Sequence, residues 1–240
     1  ADRRTSNALN DEKSESIPYS RKVSDLLGFV TGRHLSGSPY AGMRAHPETR
    51  DRPQPFVLGA SGATAEIAAQ AGLGFTFAHF INPRGDGPLA AKAYRAAFQP
   101  NDFSPDPSVI VAVFVAVGDT EVQAREFADA FHLWLTYAES ASPFERVPSL
   151  ATTREHRWTS DELAVRERNK GRLIFGTATQ VVTQLRGLVD TYGTDEVMIN
   201  LMMPGESARL NAIDAISNAM DEMGSASLTA YEPEKEGGHS

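Results

Sequence analysis

Apolar residues along this chain switch between two spacings, and the switches mark its elements. From Ser20 to Val30 they fall at Val23, Leu26, Leu27 and Val30, one face of a helix, with Gly32 just beyond where a left-handed cap is expected. Residues 36–55 read as loop and carry Pro39, Pro47, Pro53 and Pro55. Phe56–Gly59 is a short apolar strand, followed by a turn of small residues and a helix over Thr64–Ala71 that Gly72 ends. Phe75–Phe80 reads as a second strand. Val109–Val117, VIVAVFVAV, is β-branched and apolar on both faces, the texture of a parallel strand covered by helices on each side.

Asp119–Ala138 then follows a helical period, with Phe127, Phe131, Trp134, Leu135 and Ala138 on one face and Thr120 and Gln123 placed as a capping box. Residues 139–170 are irregular and charged, with a polar helical stretch at Asp161–Asn169. Leu173–Phe175 is a short strand or an extended entry to a helix. That helix opens with a second capping box, Thr177 and Gln180, buries Val181, Leu185, Leu188 and Val189, and stops at Gly193. Val197–Leu201 is the last strand, and Ser207–Met223 the last helix, apolar at Leu210, Ile213, Ala215, Ile216, Ala219 and Met220. At the ends, residues 1–19 suggest a short helix and a mobile connection, and 224–240 a disordered tail. Strand and helix alternate, so residues 1–223 are expected to form a single α/β domain with parallel strands. The spacing fits a doubly wound sheet and a (β/α)8 barrel alike.

Composition narrows the function classes. In 240 residues, 31 acidic against 23 basic side chains give a net charge of −8, which disfavours nucleic acid. A hydrophobic share of 41% supports a real core, and the absence of cysteine excludes disulfides and thiolate chemistry. No apolar run approaches the ~18 residues of a membrane span, and Ala1–Arg4 leads into no signal-peptide core. The expectation is a soluble, cytoplasmic protein without membrane contacts.

Four places could carry chemistry. The run Leu58–Glu66, LGASGATAE, ends a strand and starts a helix within small residues, an arrangement that exposes backbone N–H groups to an anion, with Ser61 and Thr64 adding hydroxyls. Ser61 also fits the plain role of helix N-cap. Gly176–Thr179 repeats the pattern, but its capping box already accounts for Thr177. His79, at the end of a strand, is either a general acid or base or a histidine satisfied by a backbone carbonyl. The stretch Arg154–Lys170 is a solvated helix or a mobile lid, and Trp158 within it could cover a site. His34, His46, His132, His156 and His239 show no ligand spacing, so no metal site is expected. Neither a Gly-x-Ser-x-Gly elbow nor a Gly-x-x-x-x-Gly-Lys loop occurs.

The run FVLGASGATAEIAAQAGLGFTFAHF, Phe56–Phe80, resembles the fifth-strand to sixth-strand segment of the bacterial luciferase-like flavin monooxygenases. Ala93–Arg95 with Phe98–Asn101 is similar to that family's Tyr-Arg…Phe-x-Pro-Ser stretch, and Val109–Glu121 to its seventh strand. Gly176–Val181 and Gly193–Met198 resemble its last crossover helix and eighth strand, and Thr5, Ala8 and Leu9 match the helix after its fourth strand. Ala60, Gly74 and Phe80 depart from the pattern, standing where relatives carry a serine or acid, a proline and a second histidine.

The resemblance implies a (β/α)8 TIM-type barrel whose N-terminal strands are absent from this chain. It also implies reduced FMN from a flavin reductase, O2, and a small organic substrate. Ser61 and Thr64, with the backbone of Gly62 and Ala63, would hold the flavin phosphate, and His79 would stand near the ring as a catalytic group. A partial barrel exposes strand edges, so a homo-oligomer or a complementary chain is expected to cover them. The competing readings are a non-catalytic flavin-binding or assembly protein and a deazaflavin-dependent reductase.

Overall fold

The computed structural model describes residues 17–47, 53–138 and 145–229, with side chains as far as Met223. Helix α1 (Tyr19–Thr31) ends at Gly32, whose φ of 69° is the expected left-handed cap. Then come β1 (Phe56–Gly59), α2 (Gly62–Gln70), β2 (Gly74–Ala78), α3 (Gly87–Ala97) and β3 (Val109–Val117). The chain continues through α4 (Glu121–Ala138), α5 (Leu150–Glu155), α6 (Ser160–Asn169) and a single 3-10 turn (Lys170–Arg172). It closes with β4 (Leu173–Gly176), α7 (Ala178–Tyr192), β5 (Glu196–Leu201) and α8 (Glu206–Thr229).

All strand pairs are parallel. β1 pairs with β2, β2 with the first half of β3 (Phe75↔Val109 to Ala78↔Ala112), and β5 with β3 from Ile110↔Glu196 to Val115↔Leu201. β4 pairs with the last four residues of β3, Phe114–Val117. The sheet does not close: among the described residues β1, β4 and β5 each keep one unpaired edge. This is an open, partial barrel.

Register separates the two faces of the sheet. Phe77 is paired with Val111, so both point the same way. On that side Phe75 meets Tyr94 of α3 at 5.6 Å between ring centres, and Phe77 meets Tyr192 of α7 at 5.5 Å. Phe114 has the opposite parity and packs on Phe80 (4.4 Å) and on Phe131 of α4 (5.5 Å). α4 therefore covers the second face near the C-terminal end of β3, and all nine residues of β3 are buried. Each fully buried Phe, Leu or Val contributes about 1.5–3 kcal/mol, so these two contact layers dominate stability.

Several elements differ from the sequence reading. α3, which the sequence reading does not mark, buries Gly87, Ala90, Ala91 and Tyr94 at helical spacing. α5 is a six-residue helix started by Ser149, whose hydroxyl accepts from the Thr152 N–H at 3.1 Å. Of the two readings of Leu173–Phe175 the strand is the one found, over Leu173–Gly176. Among the described side chains of α8 only Ala212, Ile216 and Ala219 are buried, while Leu210, Ile213 and Met220 lie exposed. Its backbone runs helical past Met223 to Thr229. The readings of residues 1–16 and of the tail beyond 229 lie outside the described residues.

Candidate functional site

The C-terminal ends of the parallel strands gather the polar turns. β1 ends at Gly59, where a side chain would collide with Thr64, its Cβ lying 2.5 Å from Thr64 Oγ1. Ser61 is extended (φ −147°, ψ 159°) and caps α2, its Oγ accepting from the Thr64 N–H at 3.5 Å. The two hydroxyls, Ser61 Oγ and Thr64 Oγ1, stand 3.3 Å apart. Ser61, Gly62 and Ala63 are exposed, and the space above Gly62 is open. The turn thus presents two hydroxyls and the first N–H groups of a helix on one accessible face, a cradle for an anion of phosphate size.

The turn after β2 leans on the turn after β1. Asn82 Nδ2 donates to the Ala60 carbonyl at 3.4 Å, and the Asn82 N–H donates to the Ala78 carbonyl. Arg172, in the 3-10 turn before β4, donates from Nε to the Phe80 carbonyl at 2.7 Å and from Nη1 to Asn169. The turns after β1 and β2 and the turn that enters β4 are linked through polar contacts. Sequence reasoning missed Asn82 and Arg172, since neither sits in a motif and each reaches a backbone carbonyl far along the chain.

His79 lies apart from the Ser61 turn. Its Nδ1 is 3.2 Å from the Tyr192 hydroxyl, and the rings meet edge to face at 6.1 Å. Tyr192 also stacks on Phe77, so the imidazole sits on the helix-covered side of β2. No hydrogen bond joins it to the Ser61 turn among the described residues. Burial lowers the His79 pKa, keeping the ring neutral at pH 7, and burial pushes the Tyr192 phenol up to about 12. Tyr192 is the residue the sequence gave no reason to single out; its one signal is its position just before the helix-stopping Gly193.

The second turn, Gly176–Thr179, is committed to its helix. Thr177 and Gln180 form the reciprocal capping box, and Gln180 Nε2 donates to Glu121 Oε1 at 2.6 Å. A cavity of about 460 Å³ opens beside it, its wall carrying one acid, Glu121, and one base, Arg125.

The charged stretch is pinned to α4. Arg154 binds Glu126 with two hydrogen bonds of 2.8 Å, and Arg166 pairs with Asp129. Tyr137 donates to Glu162 at 3.0 Å, and Glu162 also receives His156 Nε2 at 3.1 Å and the Thr159 N–H at 2.8 Å. Trp158 is packed between His156 and the Arg166 guanidinium, which lies 5.2 Å from its ring. Among the described residues no group of three metal-ligating side chains converges, and no helix is long and apolar enough to cross a membrane.

Comparison with known proteins places this arrangement. The family model for luciferase-like monooxygenases matches residues 30–195. The Bacillus subtilis (strain 168) protein YceB, itself uncharacterized, is 34% identical over 194 residues, covering 80% of this chain and 58% of its own length. A luciferase-like monooxygenase of Escherichia coli (strain K12) is 24% identical, covering 93% of this chain and 65% of its own. The crystal structure of apo-MsnO8 superposes with a TM-score of 0.76 at 26% identity, over 92% of this chain and 65% of that one. The chain thus spans about three-fifths of the length of the curated relatives it matches. An open parallel sheet with this strand order, a serine–threonine turn after its first strand and a family match across most of the chain lead to one assignment: the chain belongs to the luciferase-like monooxygenase family.

Proposed function

We propose that this chain is the phosphate-anchoring part of an FMN-dependent monooxygenase that oxygenates a small organic substrate with reduced flavin and O2. The observation that carries the reading is the pair of hydroxyls 3.3 Å apart at the exposed amino end of α2, within a chain of this family. Reduced flavin, when bound, supplies the electrons that activate O2. Ser61 and Thr64 donate their hydroxyls to the phosphate, and the N–H groups of Gly62 and Ala63 face it without side chains in the way. Asn82 holds the Ala60 carbonyl and so fixes where the turn stands. His79 belongs to this reading as a positioning residue: its bond to Tyr192 anchors the start of the loop that carries Asn82.

Fluorescence titration with FMN, and with riboflavin in parallel, tests the assignment. Ser61→Ala combined with Thr64→Ala is expected to weaken FMN at least tenfold and leave riboflavin unchanged. Equal losses for both ligands overturn it.

The unpaired edges of β1 and β5, with Leu58 and Met198 each 52% exposed on the open face, support an associating partner as part of this reading. That partner is a second copy or a complementary chain, and a flavin reductase delivers the reduced cofactor. Analytical ultracentrifugation decides the first point: a stable monomer at micromolar concentration counts against association. A chain that associates and binds FMN but shows no O2-dependent turnover with excess reduced flavin would instead be a non-catalytic flavin-binding assembly protein.

A further inference from the structure

A groove opens at the C-terminal end of β5, between the turn into α8 and the segment that leads into α5. It has two lobes, of about 340 and 510 Å³, which share Arg146, Val147, Pro204 and Gly205. Together they reach the size of small-molecule sites. The smaller lobe is lined by both Arg146 and Arg209 and by no carboxylate. Neither guanidinium forms an ion pair among the described residues; Arg209 donates from Nη1 to the Met203 carbonyl at 3.3 Å, which holds its head at the lobe. The larger lobe is walled by Val147, Pro148 and Pro204, and its one acid, Glu145, is exposed.

The floor is preformed. Met203 is 1% exposed, and its sulfur receives the Val117 N–H at 3.0 Å, while the Met202 N–H donates to the Val115 carbonyl at 2.8 Å. The turn into α8 is thereby locked to the end of β3. Two unpaired guanidinium groups are an unusual local excess on a chain of net charge −8. Beside an apolar lobe they select a ligand with an anionic head and an apolar body.

We infer that this groove binds a small organic carboxylate or an anion of like shape, with its head between Arg146 and Arg209 and its apolar body along Val147, Pro148 and Pro204. Resting on the monooxygenase reading above, this makes the groove the substrate subsite. It lies three interstrand spacings from the Ser61 turn, about 14 Å at ~4.8 Å each, on the same C-terminal end of the sheet.

The probe is octanoate, with 1-octanol as its uncharged counterpart, titrated calorimetrically into the full chain at pH 7 and low salt. Octanoate is expected to bind at least tenfold more tightly than octanol. Arg146→Gln or Arg209→Gln should remove most of that difference, and Arg146→Lys should restore part of it. FMN affinity should be unchanged in these variants. Equal binding of octanoate and octanol, or octanoate binding that ignores both glutamine variants, overturns the inference. The two readings fail separately. Arginine-dependent octanoate binding in a chain that binds no FMN upholds the anion groove and removes the flavin assignment. FMN binding with no arginine-dependent octanoate binding does the reverse.

Discussion

The Tyr192 hydroxyl stands 3.2 Å from His79 Nδ1 and closes the seam between the end of β2 and the end of α7. Around it, Arg95 of α3 donates to the carbonyls of Tyr192 and Gly193, so the same three residues bind α7, α3 and β2 into one unit. His79, which its place at a strand end leaves open between an acid or base and a structurally satisfied histidine, is here hydrogen-bonded into the helix layer.

Tyr192→Phe keeps the ring that stacks on Phe77 and removes only the hydroxyl. It leaves His79 Nδ1 without this partner in a half-buried setting, at a cost of about 1 kcal/mol. Chemical denaturation should show that loss, with Tm falling by roughly 2–4 °C for a chain of this size. FMN affinity should fall with it, by a few-fold, because the same bond anchors the loop through which Asn82 holds the Ser61 turn.

Gly87→Ala probes the same seam from the other side. A Cβ at Gly87 would overlap the Tyr192 hydroxyl and come within 2.6 Å of Phe77 Cε1, both in fully packed surroundings. Overpacking of this kind costs roughly 1–3 kcal/mol. Combined with Tyr192→Phe, the loss should be less than the sum of the two, since the overlapping oxygen is gone. A double-mutant cycle by urea denaturation measures the coupling, and strict additivity would place the strain elsewhere.

What was legible in the sequence follows from how local the signals are. β3 was readable because nine consecutive apolar residues have no other stable use, and Thr177 with Gln180 because a capping box needs only four residues. The Ser61 turn was readable for the same reason. α3 was not, because its helically spaced buried face rests largely on Gly87, Ala90 and Ala91, small residues with little hydrophobic weight that pack against α2. Nor could the sequence say which way His79 points, since that depends on Tyr192, 113 positions away. In α8 the apolar residues fall on two faces, and only tertiary packing decides that Ile216 is inside and Ile213 outside.

Glu162 ties the α6 cap to α4 and makes acid stability measurable. The Thr159 N–H, then His156, Tyr137 and the Thr159 hydroxyl, hold its carboxyl down to about 2 from an ordinary 4.5. A lowered carboxylate pKa gives stability that is present above 4.5 and is lost as pH falls toward 2. Glu162→Gln should therefore be less stable than the native chain at pH 7. The gap should shrink between pH 4.5 and 2, as followed by urea midpoints at each pH. A gap that stays constant would mean that the hydrogen bonds, not the charge, hold α6.

His132 acts in a separate pH window. It is 4% exposed on α4 and its Nδ1 has no hydrogen-bond partner among the described residues. Burial first, and the Arg166 charge second, lower its pKa to about 4 from 6.5. The unfolded chain thus takes up a proton below 6.5 that the folded chain refuses until about 4. Stability falls as pH drops through that interval, by about 1.4 kcal/mol per pH unit, and is unaffected above it. His132→Leu removes both the unpaired nitrogen and the proton site. Its stability should decline less steeply than that of the native chain from pH 6.5 to 4.5, keeping the share of His79, whose burial lowers its pKa in the same direction, and the Glu162 loss should begin only below that. Parallel pH series on the two variants separate the contributions, and a decline that persists undiminished in His132→Leu would assign it to another group.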